Sequence, residues 1–218
     1  NKPVFTKKIK LPLASENARA SSYLKARKLD PSKFYYAERY MHFCNTIKPT
    51  FTNIRDDHPR IVIPFYDSSK RLIGFQGRAL DGFVQPKYLT LMMVEDHPKV
   101  FGFDTIDETK EVYVTEGPFD STFIHNSIAM CGSDVDLSGY NNLELTYVYD
   151  NEPRNREIVS KITQSIEESH KVVIFPTHIR EKDINDMVLA GHDVNSLLES
   201  NTYTGLKAKL KLQTWKKV

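Results

Sequence analysis

Two short apolar runs in the second half of the chain are each closed by a carboxylate and then a proline or glycine, and a third reaches its carboxylates through a short loop. Residues 111–120 read EVYVTEGPFD, in which Val112, Tyr113 and Val114 are β-formers running into Glu116-Gly117. The pattern predicts a buried strand with a turn behind it. Pro118 suits the first turn of a helix, where its missing N–H is not needed. Residues 145–149 (LTYVY) end likewise in Asp150-Asn151-Glu152-Pro153, and residues 171–175 (KVVIF) lead to Lys182-Asp183-Ile184-Asn185-Asp186. Asp183 stands where a helix N-cap belongs, and Asp186 follows three residues later on the same face. Residues 118–126 predict a helix and residues 128–131 a short strand ending at Gly132. Residues 155–169 predict an amphipathic helix with Ile158, Val159, Ile162 and Ile166 on one face. Alternating strands and helices imply an α/β fold with a parallel sheet covered on both sides. In such sheets ligands bind at the carboxyl edge, where the acids fall.

The first half reads differently. Residues 1–14 are basic and contain proline, as expected of an extended arm or linker. Residues 15–28 predict a helix capped by Ser15. Pro31 opens a second short helix over SKFYYAERY, whose Phe34, Tyr35, Tyr36 and Tyr40 either pack in a core or stack on bases. Residues 60–80 form two strand-like runs around Asp67-Ser68-Ser69-Lys70, a hairpin. Gly74 and Gly77 in its second strand mark a bulge or the close approach of another backbone. Helical pattern returns in SLLES after Asp193-Val194-Asn195 and again over residues 205–212. The expected division is an arm (1–14), a smaller mixed basic subdomain (15–110), an α/β domain (111–195) and a helical tail (196–218). The tail alternates apolar and basic residues, as a solvated terminal helix or one touching nucleic acid or a partner protein.

Charge sharpens this division. The net charge is only +2, but residues 1–110 hold 19 basic and 12 acidic side chains, and residues 111–204 hold 6 and 16. A basic half beside an acidic half suits a polyanion held against a metal-loaded site. No run approaches a membrane span, and no signal peptide is seen. Cys44 and Cys131 form neither a disulfide framework nor a zinc site, which makes a cytoplasmic location the expectation. The seven histidines show no ligand spacing. The chain begins with Asn1 and reads as an excerpt of a longer protein.

Three strands thus deliver Glu116, Asp150, Glu152, Asp183 and Asp186 toward one sheet edge. Clustered carboxylates repel, and their pKa values rise unless a cation neutralises them. Hard divalent cations such as Mg²⁺ prefer oxygen ligands, and a pair can clamp the attacking and leaving oxygens of phosphoryl transfer. Taken singly, each acid could instead be a cap or a solvated loop residue.

Glu116-Gly117, Asp150-x-Glu152 and Asp183-x-x-Asp186, each behind a hydrophobic strand, resemble the Toprim fold of DnaG-type primases, type IA and type II topoisomerases and some nucleases. The second motif departs from Asp-x-Asp-Gly, with Glu152 and Pro153 in place of the second aspartate and the glycine. A second resemblance lies upstream. Arg60, Pro64, Gly74, Phe75, Gly77, Arg78, Leu80, Pro86, Lys87, Tyr88 and Leu89 look like the basic subdomain that precedes Toprim in DnaG-type primases. Topoisomerases and Toprim nucleases lack it. With VTEGPFDSTFI, YDNEPR and KDINDM together, the chain over residues 15–218 resembles the primases of T-even-type bacteriophages.

The resemblance implies synthesis of short RNA primers from NTPs on a single-stranded DNA template, in phage DNA replication, leaving an RNA–DNA hybrid. It implies Mg²⁺ or Mn²⁺ (two or more ions) on Asp150, Glu152 and Asp183, with Asp186 a ligand or an orienter of one. Glu116 either binds metal or acts as general base. Arg60, Arg78 and Lys87 would grip triphosphate and template. A replicative helicase is the implied partner, and no membrane is involved. A zinc-binding domain is expected to precede Asn1, or its task to fall to another protein. Two other readings remain open: a Toprim-type metal-dependent nuclease, and a non-catalytic module that binds single-stranded DNA or a helicase.

Overall fold

The computed structural model describes residues 9–95, 97–132, 135–140 and 142–218. Of the arm predicted for residues 1–14, residues 1–8 lie outside the described residues. The chain divides into two compact units, Asn1–Lys99 and Val100–Val218. No helix among the described residues is long and apolar enough to cross a membrane.

The N-terminal unit is a four-stranded antiparallel sheet with helices. Helix α1 (Ala18–Ala26) begins at Asn17, not at Ser15, because Asn17 Oδ1 accepts the Ala20 N–H at 3.0 Å; a separate 3-10 turn, Ala14–Glu16, precedes it. The helix predicted from Pro31 stops after one 3-10 turn, Pro31–Lys33. Its aromatic stretch instead forms strand β1 (Tyr35–Ala37), paired with β2 (Arg60–Tyr66). Helix α2 (Tyr40–Ile47) follows β1. Phe34, Tyr36 and Tyr40 are buried, so packing takes them.

Strands β2, β3 (Leu72–Ala79) and β4 (Tyr88–Met92) complete the order β1-β2-β3-β4, and the predicted hairpin is β2–β3. Pro64 lies in β2 beyond the three residues that β1 covers, so its missing N–H breaks no ladder on that side. The register shifts between Phe65 and Tyr66, whose partners Gly74 and Leu72 skip Ile73, so the bulge borders Gly74. The glycines serve close approach. A Cβ on Gly74 would stand 2.7 Å from the Leu91 carbonyl oxygen, and one on Gly77 2.5 Å from the Tyr40 ring. Tyr40 is fixed there, its hydroxyl donating to the Leu89 carbonyl at 2.8 Å. Gly77→Ala is therefore expected to cost about 1–3 kcal/mol through overpacking, visible as a lower denaturation midpoint at unchanged slope.

The second unit begins at Val100, ahead of the boundary expected at residue 111, because β5 (Val100–Phe101) joins the second sheet. Its partner there is β7 (Ser127–Met130), antiparallel. With β6 (Val112–Thr115), β8 (Leu145–Val148), β9 (Lys171–Val173) and β10 (Thr202–Tyr203) the order is β10-β9-β8-β6-β7-β5. The four inner strands are parallel, and the two edges antiparallel. Alternation along the strands divides the core. Val112, Val114, Tyr147 and Val172 pack with α4 (Arg156–Glu167) and α7 (Gly205–Trp215). Tyr113, Val148 and Val173 pack with α5 (Ile184–Ala190) and α6 (Val194–Ser200). Ile158, Ile162 and Ile166 are the buried stripe of α4, each contributing about 1.5–3 kcal/mol.

Two helices depart from expectation. The one opened by Pro118 is short, α3 (Pro118–Ser121), followed by a tighter turn in which the Ile124 N–H donates to the Ser121 carbonyl at 3.1 Å. The tail is no solvated helix: Ala208, Leu212 and Trp215 of α7 are core residues.

Candidate active site

The parallel register brings the acids together. Thr115 of β6 pairs with Val148 of β8, and Tyr147 of β8 with Val172 of β9. Glu116 and Asp150 thus leave adjacent strands at their carboxyl ends, and the loop after β9 returns Asp183. Asp183 caps α5 as expected, its Oδ1 accepting the Asp186 N–H at 2.8 Å.

Asp150 is the electrostatic centre. Its carboxyl pKa is pushed up to about 6, first by burial and then by the charges of Glu116, Asp183 and Glu152, against the pull of Lys182. Glu116, Asp183 and Glu152 therefore all lie close enough to act on Asp150. Asp186 is exposed on the first turn of α5.

Two lysines meet this negative charge, and sequence reasoning missed both. Lys161 of α4 donates to Glu116 Oε1 at 2.5 Å and also pairs with Glu157. Lys182 stands 3.3 Å from Glu152 Oε2 and 3.8 Å from Asp150 Oδ2. Among the described residues no three acidic, histidine or cysteine side chains form a ready-made cation cage. The donor set nevertheless suits a hard divalent ion: every candidate ligand is a carboxylate oxygen, and burial and neighbouring carboxylates together raise Asp150 despite Lys182.

Further residues hold the loops. Asp120 Oδ1 accepts the Asn185 N–H at 2.9 Å, joining α3 to the start of α5. Asn151 is buried and binds the loop before Asp183, its N–H donating to the Lys182 carbonyl at 2.6 Å. A concavity of about 360 Å³ beside Glu152 is lined by Pro153, Arg154, Asn155 and Lys217. Neither cysteine belongs to the site: both are buried, and burial pushes the Cys44 thiol up to about 12.

In the N-terminal unit the three basic candidates separate. Arg60 is 0% exposed. Its guanidinium donates to the carbonyls of Gly77 (3.1 Å), Pro86 (3.0 Å) and Lys87 (3.0 Å). Arg60 thus turns both Nη atoms to the backbone of the Lys87 segment, while its Nε is buried without a hydrogen-bond partner. Arg78, 7% exposed, donates to the hydroxyls of Tyr23 and Tyr88. Lys87 is exposed, with its ammonium 5.6 Å from the Tyr88 ring centroid.

No family model matches the chain. The DNA primase of Enterobacteria phage T4 is 29% identical over 219 residues, covering 96% of this chain. The chain spans 64% of that protein's length. The Aquifex aeolicus primase, solved with its zinc-binding and RNA polymerase domains, superposes with a TM-score of 0.63 at 20% identity, over 86% of this chain and 57% of that one. The fold is that of a DnaG-type primase catalytic core. A DnaG primase catalytic domain bound to single-stranded DNA shares it, with a TM-score of 0.59 at 16% identity over 84% of this chain and 72% of that one.

Proposed function

We propose that this chain is the catalytic core of a DNA primase, joining NTPs into short RNA primers on single-stranded DNA in phage replication. The observation that carries this reading is the Asp150 carboxylate, set among Glu116, Glu152 and Asp183 at the strand ends of a primase fold. In the reaction a 3′-hydroxyl oxygen bonds to the α-phosphorus of the next nucleotide. The bond from that phosphorus to the bridging oxygen breaks, and pyrophosphate leaves.

Asp150, Glu152 and Asp183 would hold Mg²⁺ or Mn²⁺, with Asp186 as ligand or orienter. Bound there, divalent ions neutralise the triphosphate and favour ionisation of the attacking hydroxyl. Lys161 and Lys182 are half-exposed and flexible, so they can balance the acids before a cation arrives and turn to phosphate afterwards. Glu116, tethered by Lys161, is either a ligand or the base that takes the hydroxyl proton. Lys87 supplies an exposed point charge for phosphate, on a segment anchored by Arg60. The single-stranded DNA held by a relative with this fold supports the same ligand here. A helicase partner finds its candidate surface in Leu206 and Leu210, the exposed apolar residues of α7.

The test offers single-stranded and duplex DNA, labelled ribonucleotides and Mg²⁺. Labelled RNA complementary to an uncut single strand supports the primase. Strand cleavage without ribonucleotide joining would replace it with a nuclease.

A further inference from the structure

We propose that Trp215, through Asn151, is a positioning residue for the carboxylates of Asp150 and Glu152. The inference rests on the metal-site reading above and adds a residue 64 positions away from the loop it serves. Trp215 Nε1 donates to Asn151 Oδ1 at 3.0 Å, with both residues buried. The amide of Asn151 spends its other end on the loop leading to Asp183. Its Nδ2 donates to the carbonyls of Ile179 (3.1 Å) and Glu181 (3.0 Å). The Lys217 N–H donates to the Pro153 carbonyl at 2.8 Å, so the segment just after α7 grips the same loop a second time.

The chemistry of the two groups makes this a specific clasp. Asn151 lies between two candidate ligands, and its partners lie just before a third, so one side chain sets the spacing of two carboxylate-bearing loops. An indole N–H is a donor only, whereas an amide presents an acceptor at one end and donors at the other. Trp215 therefore dictates which end of Asn151 faces α7 and which faces the Ile179 and Glu181 carbonyls. Without the indole N–H, Oδ1 is a buried acceptor with its partner lost, and the amide loses the contact that sets its orientation. Groups that orient metal ligands from behind commonly change metal affinity 10–100-fold when removed.

The test measures Mn²⁺ binding by the electron paramagnetic resonance of the free ion, beside melting temperature. The variants are Trp215→Phe, which keeps an aromatic ring in the core, and Leu212→Ala, which opens the same helix contact without touching the clasp. The expected result is Mn²⁺ affinity weakened about 10-fold by Trp215→Phe, with melting within a few degrees of wild type. Leu212→Ala, assayed below its own transition, should bind Mn²⁺ within about twofold of wild type while melting lower. Equal affinity in wild type and Trp215→Phe would overturn the inference and leave the metal site standing. Equal weakening in Leu212→Ala would overturn it too, reducing Trp215 to packing. A wild type that binds no Mn²⁺ would overturn the metal site and this inference with it.

Discussion

Asp150→Asn is expected to abolish nucleotide joining while making the metal-free protein more stable at neutral pH. Loss of a group behind a ligand costs 10–100-fold, so loss of a ligand should cost at least about 100-fold in incorporation. The stability change follows from the raised carboxyl pKa of about 6, against an ordinary unfolded value of about 3.9. A raised folded pKa means that the native state holds the proton more tightly. The stabilising effect of that proton is full below about pH 4 and is lost as pH rises through about 6. Above that, the ionised Asp150 is a burden of about 1–3 kcal/mol, since a tenfold difference in proton affinity corresponds to about 1.4 kcal/mol and its side chain is 29% exposed. Asparagine lifts the burden. In EDTA at about pH 7.5 the variant should melt roughly 2–12 °C above wild type, and near pH 4.5 the difference should shrink sharply. A variant less stable than wild type at about pH 7.5 would show that burial and the neighbouring carboxylates do not outweigh Lys182 at Asp150.

Arg60 and Lys87 should fail in opposite ways. Arg60→Met removes the donor to three carbonyls inside the N-terminal unit. Unpaired buried acceptors cost about 1–3 kcal/mol each, so a loss of roughly 3 kcal/mol or more is expected, with melting lowered by about 6–12 °C. Arg60→Lys should rescue little, because an ammonium cannot reproduce the planar fork. Lys87→Ala should leave melting within about 1–2 °C, as exposed substitutions usually do, and still cut incorporation severely. Thermal melts and incorporation assays on the same preparations separate the two. A stable but inactive Arg60→Met would return Arg60 to the phosphate-binding role, and an active Lys87→Ala would remove Lys87 from the reaction.

The strand-end acids were legible in the sequence because a run of β-branched and aromatic residues closed by an acid and a proline or glycine is a local signal. Helix starts were less so: Ser15 and Asn17 are both good caps, and only the hydrogen bond to Ala20 decides between them. SKFYYAERY reads as a helix until Tyr35 finds Val62 across the sheet. Arg60 was recognised as special without its role, since burial is a tertiary property. Lys161, Lys182, Asn151 and Trp215 contact groups distant in sequence, and even for Asn151 and Lys182, which stand within the motifs, the local pattern does not name the partner. In α7 the alternation KAKLKL hides the stripe Ala208, Leu212 and Trp215, whose helical spacing emerges only over the whole length to Trp215.

The most direct test of the central claim follows two ribonucleoside triphosphates on a short single-stranded DNA, with Mn²⁺ or with EDTA. Mass spectrometry reads the nucleotide product, and a coupled assay reads pyrophosphate. The predicted result is a 5′-triphosphorylated dinucleotide released in step with pyrophosphate, dependent on metal and absent in Asp150→Asn. Product formed equally well in EDTA or by Asp150→Asn would contradict a metal-dependent nucleotidyl transfer centred on that carboxylate.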